Sequence, residues 1–228
     1  MREVVLDTET TGLDPKSGDR IVEIGCVELI NHVPTGRTFH QYVNPERDMP
    51  DDAFRVHGLS ADFLMSHPLF SDVVDAFLEF IGGAILVIHN ADFDMGFINA
   101  ELTKLSLPKL DKAQSLDTVR LARQKFPGAP ANLDSLCRRF NIDNSNRELH
   151  GALLDARLLA DVYLELIGGR QTDLGLASKT NVGDQAPGTQ KSVIRPPRHH
   201  SASSEEESKH KAFIETLNEP LWLQINLH

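Results

Sequence analysis

Cysteine is almost absent from this chain: among 228 residues only Cys26 and Cys137 carry a thiol, each inside an apolar pattern. Two such positions exclude a disulfide-built scaffold. Buried free thiols in a reducing compartment are the expectation, because disulfides are rare there. Long apolar runs are missing too. No stretch approaches the roughly 20 residues that a bilayer-spanning helix needs. The opening residues, Met1-Arg2-Glu3-Val4-Val5-Leu6-Asp7, lead directly into strand-like sequence rather than into a basic and then apolar leader. A soluble, cytoplasmic protein without membrane contact is therefore expected. Basic charge is in short supply, with 23 Lys and Arg against 33 Asp and Glu and a formal net charge of −10. That argues against a wide basic face gripping duplex nucleic acid. It does not argue against carboxylates that hold cations, since bound ions reverse the local sign. There is no Cys/His cluster suited to zinc and no repeat at a solenoid period.

What is present reads as one globular domain with something attached. Apolar residues make up 40% of the chain and charged residues 25%, an ordinary balance for a packed fold. Up to about residue 170, strand-like and helix-like patterns alternate. Residues 3–8, 21–29 and 38–43 read as three successive strands. Residues 70–81 carry the helical spacing Val73, Val74, Phe77, Leu78, Ile81, stopped by Gly82 and Gly83. A short buried strand over 85–89 follows, then a helix over 95–105, a short strand over 115–117 and a helix over 118–125. Asn132 is a plausible N-cap for a helix over 133–140, and an amphipathic helix over 153–167 ends at Gly168-Gly169. Strands in a meander followed by strands alternating with helices predict an α/β domain with a mixed sheet flanked by helices.

Composition changes near Ser178. Residues 178–203 are rich in Ser, Gly, Pro, Gln and Lys and poor in large apolar side chains, so a disordered linker is expected. Ser204 and Glu207 fit a capping box for a helix over 205–218 whose stripe would be Phe213, Ile214 and Leu217, with Trp222 beyond Pro220. Either this short segment docks on a partner protein or it packs back on the domain. The expected organisation is a domain over 1–170, a linker over 171–203 and a docking segment over 204–228.

Three clusters carry candidate chemistry. Asp7 and Glu9 end an apolar strand at positions i and i+2, which share a face. They are either a solvated strand end or a pair that a cation compensates. His89-Asn90-Ala91-Asp92-Phe93-Asp94 follows a buried strand, at the C-terminal end where α/β sheets place ligand sites. Asp92 fits as a helix N-cap, whereas Asp94 has no such simple role. In His150-Gly151-Ala152-Leu153-Leu154-Asp155 the five-residue spacing does not place both side chains on one helix face, so His150 is expected in the preceding loop and Asp155 on the first turns.

Taken together and in order, LDTETTGLDP (6–15), HNADFDMGF (89–97) and DNSNRELHGALLDARLLADVYLELIGG (143–169) resemble the DEDDh exonucleases. Within them they are similar to the proofreading, or epsilon, subunits of bacterial DNA polymerase III, over about residues 2–170. The resemblance implies a ribonuclease H-like fold and a 3′→5′ exonuclease with two divalent cations, Mg²⁺ or Mn²⁺, on Asp7, Glu9, Asp94 and Asp155. It implies His150 as general base and 5′-mononucleotides as products. Asp7, Glu9 and Asp155 would also face the substrate, and Thr10 and Leu13 would line the pocket for the 3′-terminal nucleotide, Leu13 against the last bases. His57 matches a substrate-contacting position, and Asp52 stands where the epsilon subunits have a glutamate. Other histidines, such as His67, are expected at the surface. The resemblance also implies partners: a single-stranded or frayed 3′ end of DNA, the polymerase catalytic (alpha) subunit on the tail, and a small accessory (theta-like) subunit. Gln171, Leu174 and Leu176 resemble a peptide that holds the sliding clamp. Competing readings are a free-standing nuclease trimming RNA or DNA ends, and a non-catalytic replisome adaptor.

Overall fold

The computed structural model describes residues 1–145, 149–169 and 201–217. Contacts divide the chain into two compact units, Met1–Ser178 and Lys179–His228. The first is built on five strands in the order β3-β2-β1-β4-β5: β1 (Arg2–Thr10), β2 (Ile21–Ile30), β3 (Val33–Tyr42), β4 (Ile85–Ile88) and β5 (Ser115–Asp117). The sheet is mixed, as the alternation predicts. β1 pairs antiparallel with β2, and β2 with β3, whereas β4 runs parallel to both β1 and β5.

Among the described residues, seven α-helices belong to this unit: α1 (Asp51–His57), α2 (Ala61–Leu64), α3 (Phe70–Ile81), α4 (Ala91–Lys104), α5 (Thr118–Lys125), α6 (Leu133–Phe140) and α7 (Ala152–Leu166). They cover both faces of the sheet. Val4, Leu6, Ile24 and Ile88 point to one side, with Phe77 of α3 and Ile98 of α4. Val5, Val27 and Val87 point to the other, with Leu136 of α6 and Leu159 of α7. Alternation along β1 thus sends Val5, Asp7 and Glu9 toward the α7 side.

Several boundaries differ from the sequence expectation for identifiable reasons. β3 begins at Val33, not at residue 38, because Asn31 (φ 49°) and His32 (φ 68°) make a two-residue turn that pairs Val33 directly with Ile30. This edge strand is mostly exposed and so lacks the apolar alternation that marks a strand. α4 begins at Ala91 rather than at residue 95. Its N-cap position is Asn90, in the left-handed region (φ 69°), so Asp92 is a first-turn residue and not the cap. Instead Asp92 pairs with Lys112 at 2.7 Å and Arg120 at 3.2 Å. α1 and α2 have no counterpart in the sequence reading, since each is too short to show a helical period. Asn132 does cap α6, accepting from the Ser135 N–H at 2.8 Å.

The second unit contains α8 (Ser204–Glu215). Its capping box falls one residue earlier than expected, on Ser203 and Glu206. Phe213 and Leu217 are exposed and Ile214 is buried. The clamp-like peptide with Gln171, Leu174 and Leu176, the linker as far as residue 200, and Trp222 lie outside the described residues.

Candidate active site

The site grows from the C-terminal end of β1 and from the way α7 is pressed onto the sheet. Gly25 of β2 stands opposite Asp7 of β1. A Cβ there would come within 2.2 Å of the backbone of Ala152 and Leu153. A glycine inside a strand marks such a close backbone approach. It lets the first turn of α7 lie directly on the strand beside Asp7, which brings Asp155 down to β1. Toward the other end of the helix, the Tyr163 hydroxyl donates to the fully buried Glu3 carboxylate of β1 at 2.6 Å. α7 is thus fixed at both ends.

On this scaffold Asp7, Glu9, Asp94, His150 and Asp155 line one cavity of about 250 Å³. Glu9, Asp94 and Asp155 are all buried. Ligand atoms of Glu9, His150 and Asp155 fall within 4.8 Å of one another. His150 sits in the loop before α7. Its backbone N–H donates to the Val56 carbonyl at 3.1 Å, and its Nδ1 lies 3.2 Å from an Asp155 oxygen. Asp94 arrives from α4, across the strand end, and accepts a 2.7 Å hydrogen bond from the Thr8 hydroxyl. Burial pushes the Asp94 carboxyl up to about 7, against the opposing pull of that hydroxyl. Burial, with the charges of Asp7 and Asp94 adding to it, also holds the Cys26 thiol far above its ordinary range.

The donor set fits divalent cations. Buried carboxylates converging on one small cavity are costly without compensating positive charge. Burial raises the Asp94 carboxyl pKa, and a bound cation would offset that cost. Oxygen donors without thiolates suit Mg²⁺ or Mn²⁺.

A second cavity of about 530 Å³ shares Thr8, Glu9 and Phe93 with the first. Its walls include Thr10, Leu13, Asp52 and His57. Leu13 is 85% exposed at its mouth. Asp52, on the first turn of α1, is exposed and paired with Arg55. His57, at the end of α1, is buried. Its Nδ1 accepts from the Leu59 N–H at 3.0 Å, which leaves the proton on Nε2, close to the Thr10 backbone but without a hydrogen bond of good geometry. Burial lowers the His57 pKa; the nearby Thr10 backbone opposes this only in part, and the charge of His150 adds to it.

All the expected site residues outside the tail therefore gather at two adjoining cavities. Sequence reasoning missed Phe93, which lines both cavities, and Thr8, which holds Asp94. It also missed Asn132 and Asp134 at the start of α6, which line the carboxylate cavity. Gly25 within an apolar strand was the one legible signal for the approach of α7.

Residues 4–163 match the RNase_T family model, described as Exonuclease. The DNA polymerase III subunit epsilon of Rickettsia felis is 50% identical over 228 residues, covering 95% of this chain and 97% of that protein. The Salmonella typhimurium protein of the same name is 45% identical, covering 94% and 92%. The Escherichia coli one is 47% identical over 191 residues, covering 81% and 78%. Among solved structures, Exonuclease X in complex with 5′ overhanging duplex DNA aligns with a TM-score of 0.57 and 25% identity, over 72% of this chain and 90% of that one. The nuclease domain of 3′hExo, a DEDDh family member bound to rAMP, shares the fold with a TM-score of 0.62 at 21% identity, over 73% and 91%. Matched across most of its length by the exonuclease model and along nearly all of it by such relatives, the chain belongs to the RNase_T exonuclease family and, within it, to the DNA polymerase III epsilon subunits.

Proposed function

We propose that the chain is the 3′→5′ proofreading exonuclease of a replicative DNA polymerase III, cutting single nucleotides from a single-stranded or frayed 3′ end of DNA. The observation that carries this reading is the convergence of Asp7, Glu9, Asp94, His150 and Asp155 on one cavity that opens into a nucleotide-sized pocket. Asp7, Glu9, Asp94 and Asp155 would hold two cations, Mg²⁺ or Mn²⁺. Bound there, the cations supply charge stabilisation to the attacking and leaving oxygens of an in-line displacement at phosphorus.

The chain's own groups do the rest. The His150 imidazole, whose ordinary pKa lies near neutrality, takes the proton of the attacking water. Thr10 and Leu13 hold the 3′-terminal nucleotide, with Leu13 against the last bases. His57 stays neutral and offers its buried Nε2–H to an oxygen of that nucleotide, in place of its weak contact with the Thr10 backbone. Asp52, at the rim, faces the same nucleotide.

An acidic nuclease needs a partner to present a polyanion. The tail would dock on the polymerase catalytic (alpha) subunit through Phe213, Ile214, Leu217 and Trp222, and tethering would raise the local concentration of primer ends. The exposed Phe213 on α8 and Leu217 just beyond it support this. Gln171, Leu174 and Leu176 would hold the sliding clamp, and a small theta-like subunit would bind the domain. Such work is cytoplasmic, and among the described residues no helix is long and apolar enough to cross a membrane. Identity of 45% to 50% over 94% to 95% of the chain favours the subunit over a free-standing nuclease. The filled catalytic positions disfavour an adaptor.

Digestion should release 5′-mononucleotides. His150→Ala should slow turnover by about 100- to 10,000-fold while the thermal shift on adding Mn²⁺ persists. Full turnover in that variant, or internal fragments as products, would contradict the reading.

A further inference from the structure

The loop carrying Leu13 is not free. Thr11 and Arg20 close its base, the Thr11 N–H donating to the Arg20 carbonyl at 2.9 Å and the Arg20 N–H to the Thr11 hydroxyl at 3.0 Å. Inside the loop, Asp19 is the fastening point. Its carboxylate accepts the Asp14 N–H at 3.1 Å and fills the space where a Cβ on Gly12 would sit 2.3 Å away. Gly12 and Asp14 flank Leu13, so Asp19 bonds the backbone on one side of the exposed side chain and packs against it on the other.

Asp19 is in turn held from the opposite wall of the pocket. Arg47 reaches across from the segment between β3 and α1. One of its terminal nitrogens donates to Asp19 Oδ1 at 2.7 Å and to the Gly18 carbonyl at 2.6 Å. That segment leads into α1, which carries Asp52 and His57. A second fastening, from Arg20 to the buried Glu101 at 2.5 and 2.9 Å, ties the loop base to α4, the helix of Asp94.

Separating a terminal base pair means unstacking it, which costs free energy. A side chain pressed against that pair does useful work only if its own support does not yield first. We propose that Arg47, acting through Asp19, is a positioning residue that stiffens the Leu13 loop, so that cleavage of base-paired 3′ ends depends on it while cleavage of unpaired ends does not. The proposal rests on the exonuclease reading above. Arg47 itself lies in neither cavity lining, although Asp19, which it holds, lines the nucleotide pocket; the carboxylate site is left whole when Arg47 is removed.

The test compares wild type with Arg47→Ala in the full chain, on a 3′ end that is unpaired and on the same end paired to a template. The clamp predicts a fall of about threefold to fivefold in kcat/KM on the paired end, in line with a partly buried ion pair, and no change on the unpaired end. Arg47→Lys, which keeps a cation able to donate to both oxygens, should restore the paired-end rate. Hydrogen exchange of the Asp14 amide should quicken in Arg47→Ala. An equal fall on both ends would reduce Arg47 to a general charge contact with DNA. Equal rates on both ends, or unaltered exchange at Asp14, would also overturn the clamp. Failure of wild type to shorten any 3′ end sinks the exonuclease reading itself; a normal wild type beside an unselective variant sinks only the clamp.

Discussion

Burial sets the Asp94 carboxyl against the Thr8 hydroxyl at 2.7 Å and pushes its pKa up to about 7. A carboxyl raised above its unfolded value costs the fold stability once it ionises. Its favourable contribution is whole below the unfolded pKa and is lost as pH rises through the folded one. The metal-free chain should therefore melt at a lower temperature at about pH 8 than at about pH 6. Asp94→Asn should flatten that dependence, and saturating Mn²⁺ should abolish it in the wild type. Melting in a chelator that gains stability over the same window would contradict this. These residues were legible singly as carboxylates at a strand end, after a strand and on a helix. That burial reaches Asp94 but spares His150 was not legible, because it depends on how α4 and the loop before α7 meet β1.

Among elements, α7 decides the geometry, and its seating rests on a side chain that is missing. Gly25→Ala would drive a methyl group into the backbone of Ala152 and Leu153. Overpacking of this kind costs about 1–3 kcal/mol, and a misplacement near 1 Å can cost about 100-fold in rate. The variant should melt earlier and lose about that much turnover, because Asp155 moves with the helix. Unchanged activity would mean that the first turn of α7 does not position Asp155. Long, strongly periodic elements such as α3, and capped ones such as α6, could be read from sequence. α1 and α2 could not, although α1 places His57, because a helix of one or two turns held by tertiary contacts leaves no period to read. β3 was cut short because an edge strand facing solvent does not alternate.

At the scale of the whole molecule, the net charge of −10 and the second compact unit belong together. The nuclease chemistry lies within Met1–Ser178, which has cores on both faces of its own sheet. Deleting residues 179–228 should leave single-stranded digestion unchanged and abolish co-elution with the polymerase catalytic subunit. Retained co-elution would move the docking surface to the domain. Composition changes near Ser178, but no pattern in a short amphipathic tail says what it binds. The most direct test of the whole account is digestion of a 5′-labelled single strand in Mg²⁺ by wild type and by Asp7→Ala/Glu9→Ala, with folding of both checked by melting. A ladder shortening from the 3′ end in the wild type and absent in the variant is the predicted result. Equal ladders, or none from folded wild type even with Mn²⁺, would contradict the assignment of this site.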